Sequence, residues 1–194
     1  MAATRVICSH RLSRPALAAA MLLCLQSYAV RADGQEQAYA NPATRGSPLE
    51  LRGTACAVDG DTLVLNSHVS RGRCQGGDVV HLRGTDAPEL NQQCQDSFYL
   101  NVACGRQARA KLKTRIRNRT IECHVYRIAR KPEFTGECFA GGDNINAYMV
   151  RRGWAIVAPS RAARYSALEQ DARRRRGIWG TRFVRLWEWR GRGS

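Results

Sequence analysis

Four carboxylates, Asp59, Asp61, Asp86 and Glu89, fall in the stretch 58–90, beside turn-forming residues and around two short runs of β pattern. The runs, 62–65 and 79–82, are rich in β-branched and aliphatic side chains and bounded by Gly, Asp, Ser and Pro, as strands ended by turns are. Asp59 and Asp61 precede the first run; Asp86 and Glu89 follow the second. If the runs pair antiparallel, the start of one lies next to the end of the other, and all four acids gather at one end. Hard oxygen donors clustered in this way suit Ca²⁺ or Mg²⁺ rather than zinc. Either acidic segment alone would pass for an ordinary turn, because Asp, Gly and Pro are the commonest turn formers. Their combination, in this order, points to chemistry.

The neighbouring segments supply the frame. Residues 51–58 read as a first strand, and 67–77 as a Gly- and Ser-bearing loop inside a meander. Residues 105–118 read as a helix, with Ala108, Leu112 and Ile116 recurring every fourth position and Arg106, Arg109, Lys111, Lys113 and Arg117 on the other faces. Residues 120–128 and 136–140 form a second hairpin. Asp143 or Asn144 caps a helix that runs to Arg152 and stops at Gly153. Ser166 and Glu169 read as a capping box for the last helix, with Gly177 as its stop and the run 173–176 in its final turn, complementing the helix dipole. Five short strands with three interleaved helices suggest an α+β, mainly β, fold: a five-stranded Greek-key barrel of the OB type. Trp154, Trp179, Trp187 and Trp189 are expected to pack in the core and tail rather than to stack on bases.

The 194 residues make one domain with extensions. Arg5, Arg11 and Arg14 precede an apolar run from Pro15 to Val30 that ends in small residues, the pattern of a secretory signal peptide over 1–32. The run falls short of the roughly 20 apolar residues of a membrane span. A polar, proline-bearing spacer covers 33–50, the domain 51–190 and a short tail 191–194. Losing the leader removes four arginines and no acids, taking 31 basic residues against 16 acidic ones to 27 against 16, a mature charge of about +11. Such an excess attracts polyanions, nucleic acid or anionic surfaces, and says nothing of catalysis. The mature chain is expected to be a periplasmic or secreted monomer that does not enter membranes.

Outside the leader stand Cys56, Cys74, Cys94, Cys104, Cys123 and Cys138, an even number in an exported chain, with no CxxC spacing for zinc. Sequence alone does not choose among the possible pairings. Three local pairs are expected from position: 56 with 74 across the meander, 94 with 104 at the base of a polar loop, and 123 with 138 across the second hairpin.

The order strand, Asp59-Gly60-Asp61-Thr62, strand, Gly84-Thr85-Asp86-Ala87-Pro88-Glu89 resembles the thermonuclease, or staphylococcal nuclease-like, family. Segments 141–155 and 165–179 and the final Trp187-Glu188-Trp189-Arg190 are similar to its helical parts, so the resemblance covers roughly 51–190. It implies an OB-type barrel that hydrolyses DNA or RNA with Ca²⁺. Asp61 and Asp86 would hold the ion, helped by the Ala87 carbonyl, with Asp59 behind them and Glu89 orienting or deprotonating the attacking water. The family also places two arginines on the phosphate, and both are replaced here, by His81 and Glu133. Arg83, two residues after His81 and on the same strand face, is the candidate substitute, and His81 is kept as a catalytic candidate with it. Arg127, Arg130 and Lys131, around the second hairpin's turn, are candidate nucleic-acid contacts. A catalytically degenerate module that binds nucleic acid or another polyanion is the alternative.

Overall fold

A computed structural model describes residues 47–158, 162–174 and 176–192. The expected leader, and the expected spacer up to residue 46, lie outside the described residues.

The central sheet is built from β1 (Leu49–Gly53), β2 (Ala55–Ala57), β3 (Thr62–Leu65), β6 (Asp78–Leu82), β10 (Ile121–Arg127) and β11 (Phe134–Ala140), in the spatial order β1-β10-β11-β6-β3-β2, with β12 (Asp143–Asn144) added on β11. All pairings are antiparallel except that of β11 with β6. Two-stranded ribbons join β4 (His68–Ser70) to β5 (Arg73–Gln75), β7 (Thr85–Asp86) to β13 (Ile156–Val157), and β8 (Cys94–Gln95) to β9 (Asn101–Val102). The helices are α1 (Cys104–Ile116), α2 (Ile145–Arg151), α3 (Ala162–Ala172) and α4 (Leu186–Arg192), with a 3-10 turn at Gly177–Gly180.

β3 is buried along its whole length, flanked by β2 and β6 and with Leu63 and Leu65 in the main core, whereas β11 alternates between buried and half-buried side chains, as a strand with one covered face does. Leu63, Leu65, Val80, Leu112, Ile121, Val125, Ile145 and Met149, almost wholly excluded from solvent, form the main core between the sheet and α1 and α2. Ala108, Leu112 and Ile116 are the buried stripe of α1, as their spacing predicts.

The α+β, mainly β, OB-type expectation holds, with more strands than five. Thr54 interrupts the expected first strand, so that β1 pairs with β10 while β2 pairs with β3, and β1 begins at Leu49, inside the expected spacer. The capping box is not used: α3 begins four residues before Ser166, and the Glu169 carboxylate accepts from the Val157 N–H at 2.9 Å instead. That helix ends at Ala172, so Arg173 and Arg176 follow it and pair with Glu169 and Asp171. Asn144 caps α2 as expected, accepting from the Ala147 N–H at 2.8 Å. The three disulfides are 56–74, 94–104 and 123–138, the local pairs read from position.

Candidate active site

In the β3–β6 register Thr62 stands opposite His81 and Leu65 opposite Asp78, so the loop before β3 and the loop after β6 meet at one end of the sheet. Asp59 Oδ1 accepts the Asp61 N–H at 2.9 Å, and the Asp61 carbonyl accepts the Leu82 N–H at 2.8 Å. The first loop is thereby pinned to the end of β6. Asp61 Oδ2 then reaches across to accept the Ala87 N–H at 2.7 Å. Gly60 permits this approach: a Cβ there would lie 2.7 Å from both the Ala87 and Ala108 side chains.

Asp86 is carried by β7, opposite Ile156 of β13, and is 7% exposed. Burial, with Asp59 and Asp86 beside it, pushes the Asp61 carboxyl well above the usual carboxylate range. Glu89 follows Pro88 in a turn closed by the Gln92 N–H on the Glu89 carbonyl at 2.8 Å. The fully buried Gln92 side chain holds the turn a second time, accepting the Glu89 N–H and donating to the Val184 carbonyl at 3.0 Å. α1 also presses on the turn, since a Cβ on Gly105 would lie 1.7 Å from the Glu89 carbonyl oxygen.

His81 Nε2 lies 2.9 Å from Glu133 Oε2, and its Nδ1 lies 3.2 Å from Thr62 Oγ1, which in turn donates to Asp61 Oδ1 at 3.2 Å. A hydrogen-bonded chain therefore runs from Glu133 to Asp61. Arg83 stacks over the Tyr126 ring at 4.6 Å. Arg127 lies over Phe134 at 4.9 Å, and Arg130 and Lys131 are exposed in the turn between β10 and β11, with Lys131 close enough to help lower the Glu133 carboxyl.

The sequence reading missed Arg190, on α4. Its Nη1 donates to Asp86 Oδ1 and Glu89 Oε1, and its Nη2 to Asp86 Oδ2, each at 2.9 Å. Asp86 holds it firmly protonated. Gln92 was missed as well; neither carries a local pattern that marks it. The four acids thus form two linked groups, with Asp59 and Asp61 joined to Ala87, and Asp86 and Glu89 bridged by Arg190. Among the described residues, no group of three or more His, Cys, Asp or Glu side chains is arranged to hold a metal ion.

The succinoglycan biosynthesis protein ExoI of Rhizobium meliloti (strain 1021) is 28% identical over 138 residues, covering 69% of this chain and 67% of that protein. An uncharacterized 38.1 kDa protein of Capnoides sempervirens is 26% identical over 115 residues, covering 57% of this chain and 31% of that protein. The family described as Staphylococcal nuclease homologue matches residues 79–181, a span that takes in His81, Asp86, Glu89 and Glu133. With the OB-type sheet and these acids at one end of it, the chain belongs to the staphylococcal nuclease homologue family.

Proposed function

We propose that the mature chain is an exported, calcium-dependent phosphodiesterase acting on DNA or RNA. The observation that carries this reading is the closure of the Asp61 carboxylate onto the Ala87 N–H at 2.7 Å, which brings the acid before β3 to the acids after β6. The charge of +15 over the full sequence supports a polyanionic substrate, and three disulfides support an oxidising compartment.

The chemistry of the donors, rather than their present arrangement, suits a hard divalent cation. They are oxygens, Asp61 resists ionising beside Asp59 and Asp86, and a guanidinium already satisfies the demand of Asp86 for positive charge. Asp61, Asp86 and the Ala87 carbonyl would hold Ca²⁺, with Asp59 orienting Asp61 through its amide. Calcium would supply charge neutralisation on the phosphoryl oxygens. Glu89, fixed from behind by Gln92 and α1, would orient a water and take its proton at a carboxylate oxygen. Thr62 and His81 would steady Asp61, and Arg127, Arg130 and Lys131 would meet the strand beyond the cleaved bond.

The pairing of His81 with Glu133 favours a second reading, binding without cleavage, because an acid–imidazole pair occupies the two positions at which the resemblance implies arginines that stabilise the transition state. Incubating the mature protein with DNA and with RNA, in calcium and in chelator, separates the readings. Calcium-dependent cleavage supports the enzyme, and calcium-dependent binding with no cleavage supports the module.

A further inference from the structure

We propose that Arg190, delivered by the C-terminal helix α4, is the phosphate-binding arginine of this site. The inference rests on the phosphodiesterase reading and adds to it the cation that the reaction lacks.

Asp59, Asp61, Asp86 and Glu89 concentrate negative charge where an anionic phosphodiester must come. A divalent cation offsets two of those charges, leaving the site repulsive to its own substrate unless another cation takes part. Attack on phosphorus adds charge to the phosphoryl oxygens, and a planar guanidinium with paired donors is the side chain best matched to them. His81 does not fill this place, since both of its ring nitrogens are engaged, by Glu133 and by Thr62. Arg83 is stacked on Tyr126.

Arg190 stands where the charge is required. Its guanidinium bridges the carboxylate proposed for the ion and the one proposed for the water, within 2.9 Å of each, while its side chain keeps 45% of its surface open to solvent. The helix is anchored one turn earlier by the fully buried Leu186, packed with Cys94, Cys104, Ile156 and Ile178. Residues four apart share a helix face, so burial of Leu186 directs Arg190 toward the acids. Gln92 couples the approach of this segment to Glu89, holding the Glu89 turn on one side and the Val184 carbonyl on the other. A cation binding Asp86 has to take over oxygens that Arg190 now holds, and this exchange frees guanidinium donors beside Glu89 for the phosphate.

The test compares the parent with Arg190→Ala and Arg190→Lys, after melting curves show that each variant folds. Three readouts are taken: cleavage of single-stranded DNA in calcium, calcium affinity by calorimetry, and affinity for a short oligonucleotide in calcium in a Glu89→Gln background. The expected result for Arg190→Ala is a fall in kcat/KM of about 10²-fold or more, with calcium affinity unchanged or tighter. Arg190→Lys should stay within about tenfold of the Ala variant, because an ammonium cannot form the paired contact. Oligonucleotide affinity should fall about tenfold or more with Arg190→Ala.

Cleavage by Arg190→Ala at the parent's rate or faster overturns the proposal and leaves the nuclease reading intact, the arginine then being only a cover on Asp86. If the parent itself does not cleave, yet binds the oligonucleotide in an Arg190-dependent way, the nuclease reading fails and the phosphate-binding role stands. Binding that ignores Arg190 in a non-cleaving parent removes both.

Discussion

His81 Nε2 and Glu133 Oε2 are 2.9 Å apart, so the two positions at which the resemblance implied phosphate-binding arginines are bonded to each other. The substitutions are therefore a matched pair. A lone carboxylate at position 133 would repel phosphate, but one held by an imidazole is partly neutralised, and the pair extends through Thr62 to Asp61. His81 thus connects Glu133 to the acidic loop through Thr62.

The pair predicts a specific acid response. The hydrogen bond from His81, more than the charges of His81 and Lys131, holds the Glu133 carboxyl below its ordinary value of 4.5 against a smaller opposing effect of desolvation. A carboxyl lowered by folding contributes stability that is present above its unfolded value and is lost as pH falls through the folded one. Glu133→Gln should therefore melt below the parent at neutral pH, and the gap should close as pH drops below 4.5. The group is half-buried and open to solvent screening, so the gap is small; thermal melts across about pH 3 to 7 measure it. A gap that does not change with pH would contradict the assignment.

Asp61 predicts the opposite sign. Its carboxyl is raised by burial and by Asp59 and Asp86, so the ionised form costs stability once pH rises above the ordinary value of 3.8. Asp61→Asn removes that cost and keeps an oxygen to accept the Ala87 N–H. At neutral pH without metal the variant should melt higher than the parent, by a few degrees if the relief is about 1 kcal/mol. Calcium should raise the melting point of the parent and not of the variant. A metal-free variant that melts lower than the parent would contradict the account.

The division between what was legible in the sequence and what was not follows contact distance. Residues 62–65 read as a strand because four apolar or β-branched residues in a row suit a strand buried on both faces, and they are β3 without adjustment. The acids were legible because each sits in a short turn motif whose residue types carry local meaning. The cysteine pairs were legible because each closes a short span. The ribbons β7–β13 and β8–β9 were not, since two-residue strands are too short to show alternation. Ser166 and Glu169 had capping-box spacing, but the Val157 amide competed successfully for the Glu169 carboxylate. Arg190 was read only as part of a similar tail, for its contact to Asp86 spans 104 residues and no periodicity encodes it.

Gly105 gives a test of how Glu89 is positioned. A methyl group there would meet the Glu89 carbonyl oxygen at 1.7 Å, so Gly105→Ala must move either α1 or the Glu89 turn. Because the turn is also tied to Gln92, the variant should lose about tenfold or more in kcat with calcium affinity little altered, and should lose about 1–3 kcal/mol of stability from overpacking. Denaturant unfolding together with steady-state rates checks both. A variant with the parent's kcat would mean that the Glu89 turn need not be held where it is.

The most direct test of the central claim is the initial rate of phosphodiester cleavage by the mature protein and by Glu89→Gln, on DNA and RNA, in calcium and after chelation. The account predicts cleavage by the parent that stops on chelation, and a fall of about 10²-fold or more in kcat for Glu89→Gln with calcium and oligonucleotide binding retained. A Glu89→Gln variant that cleaves as fast as the parent, or a parent whose cleavage continues in chelator, would contradict it.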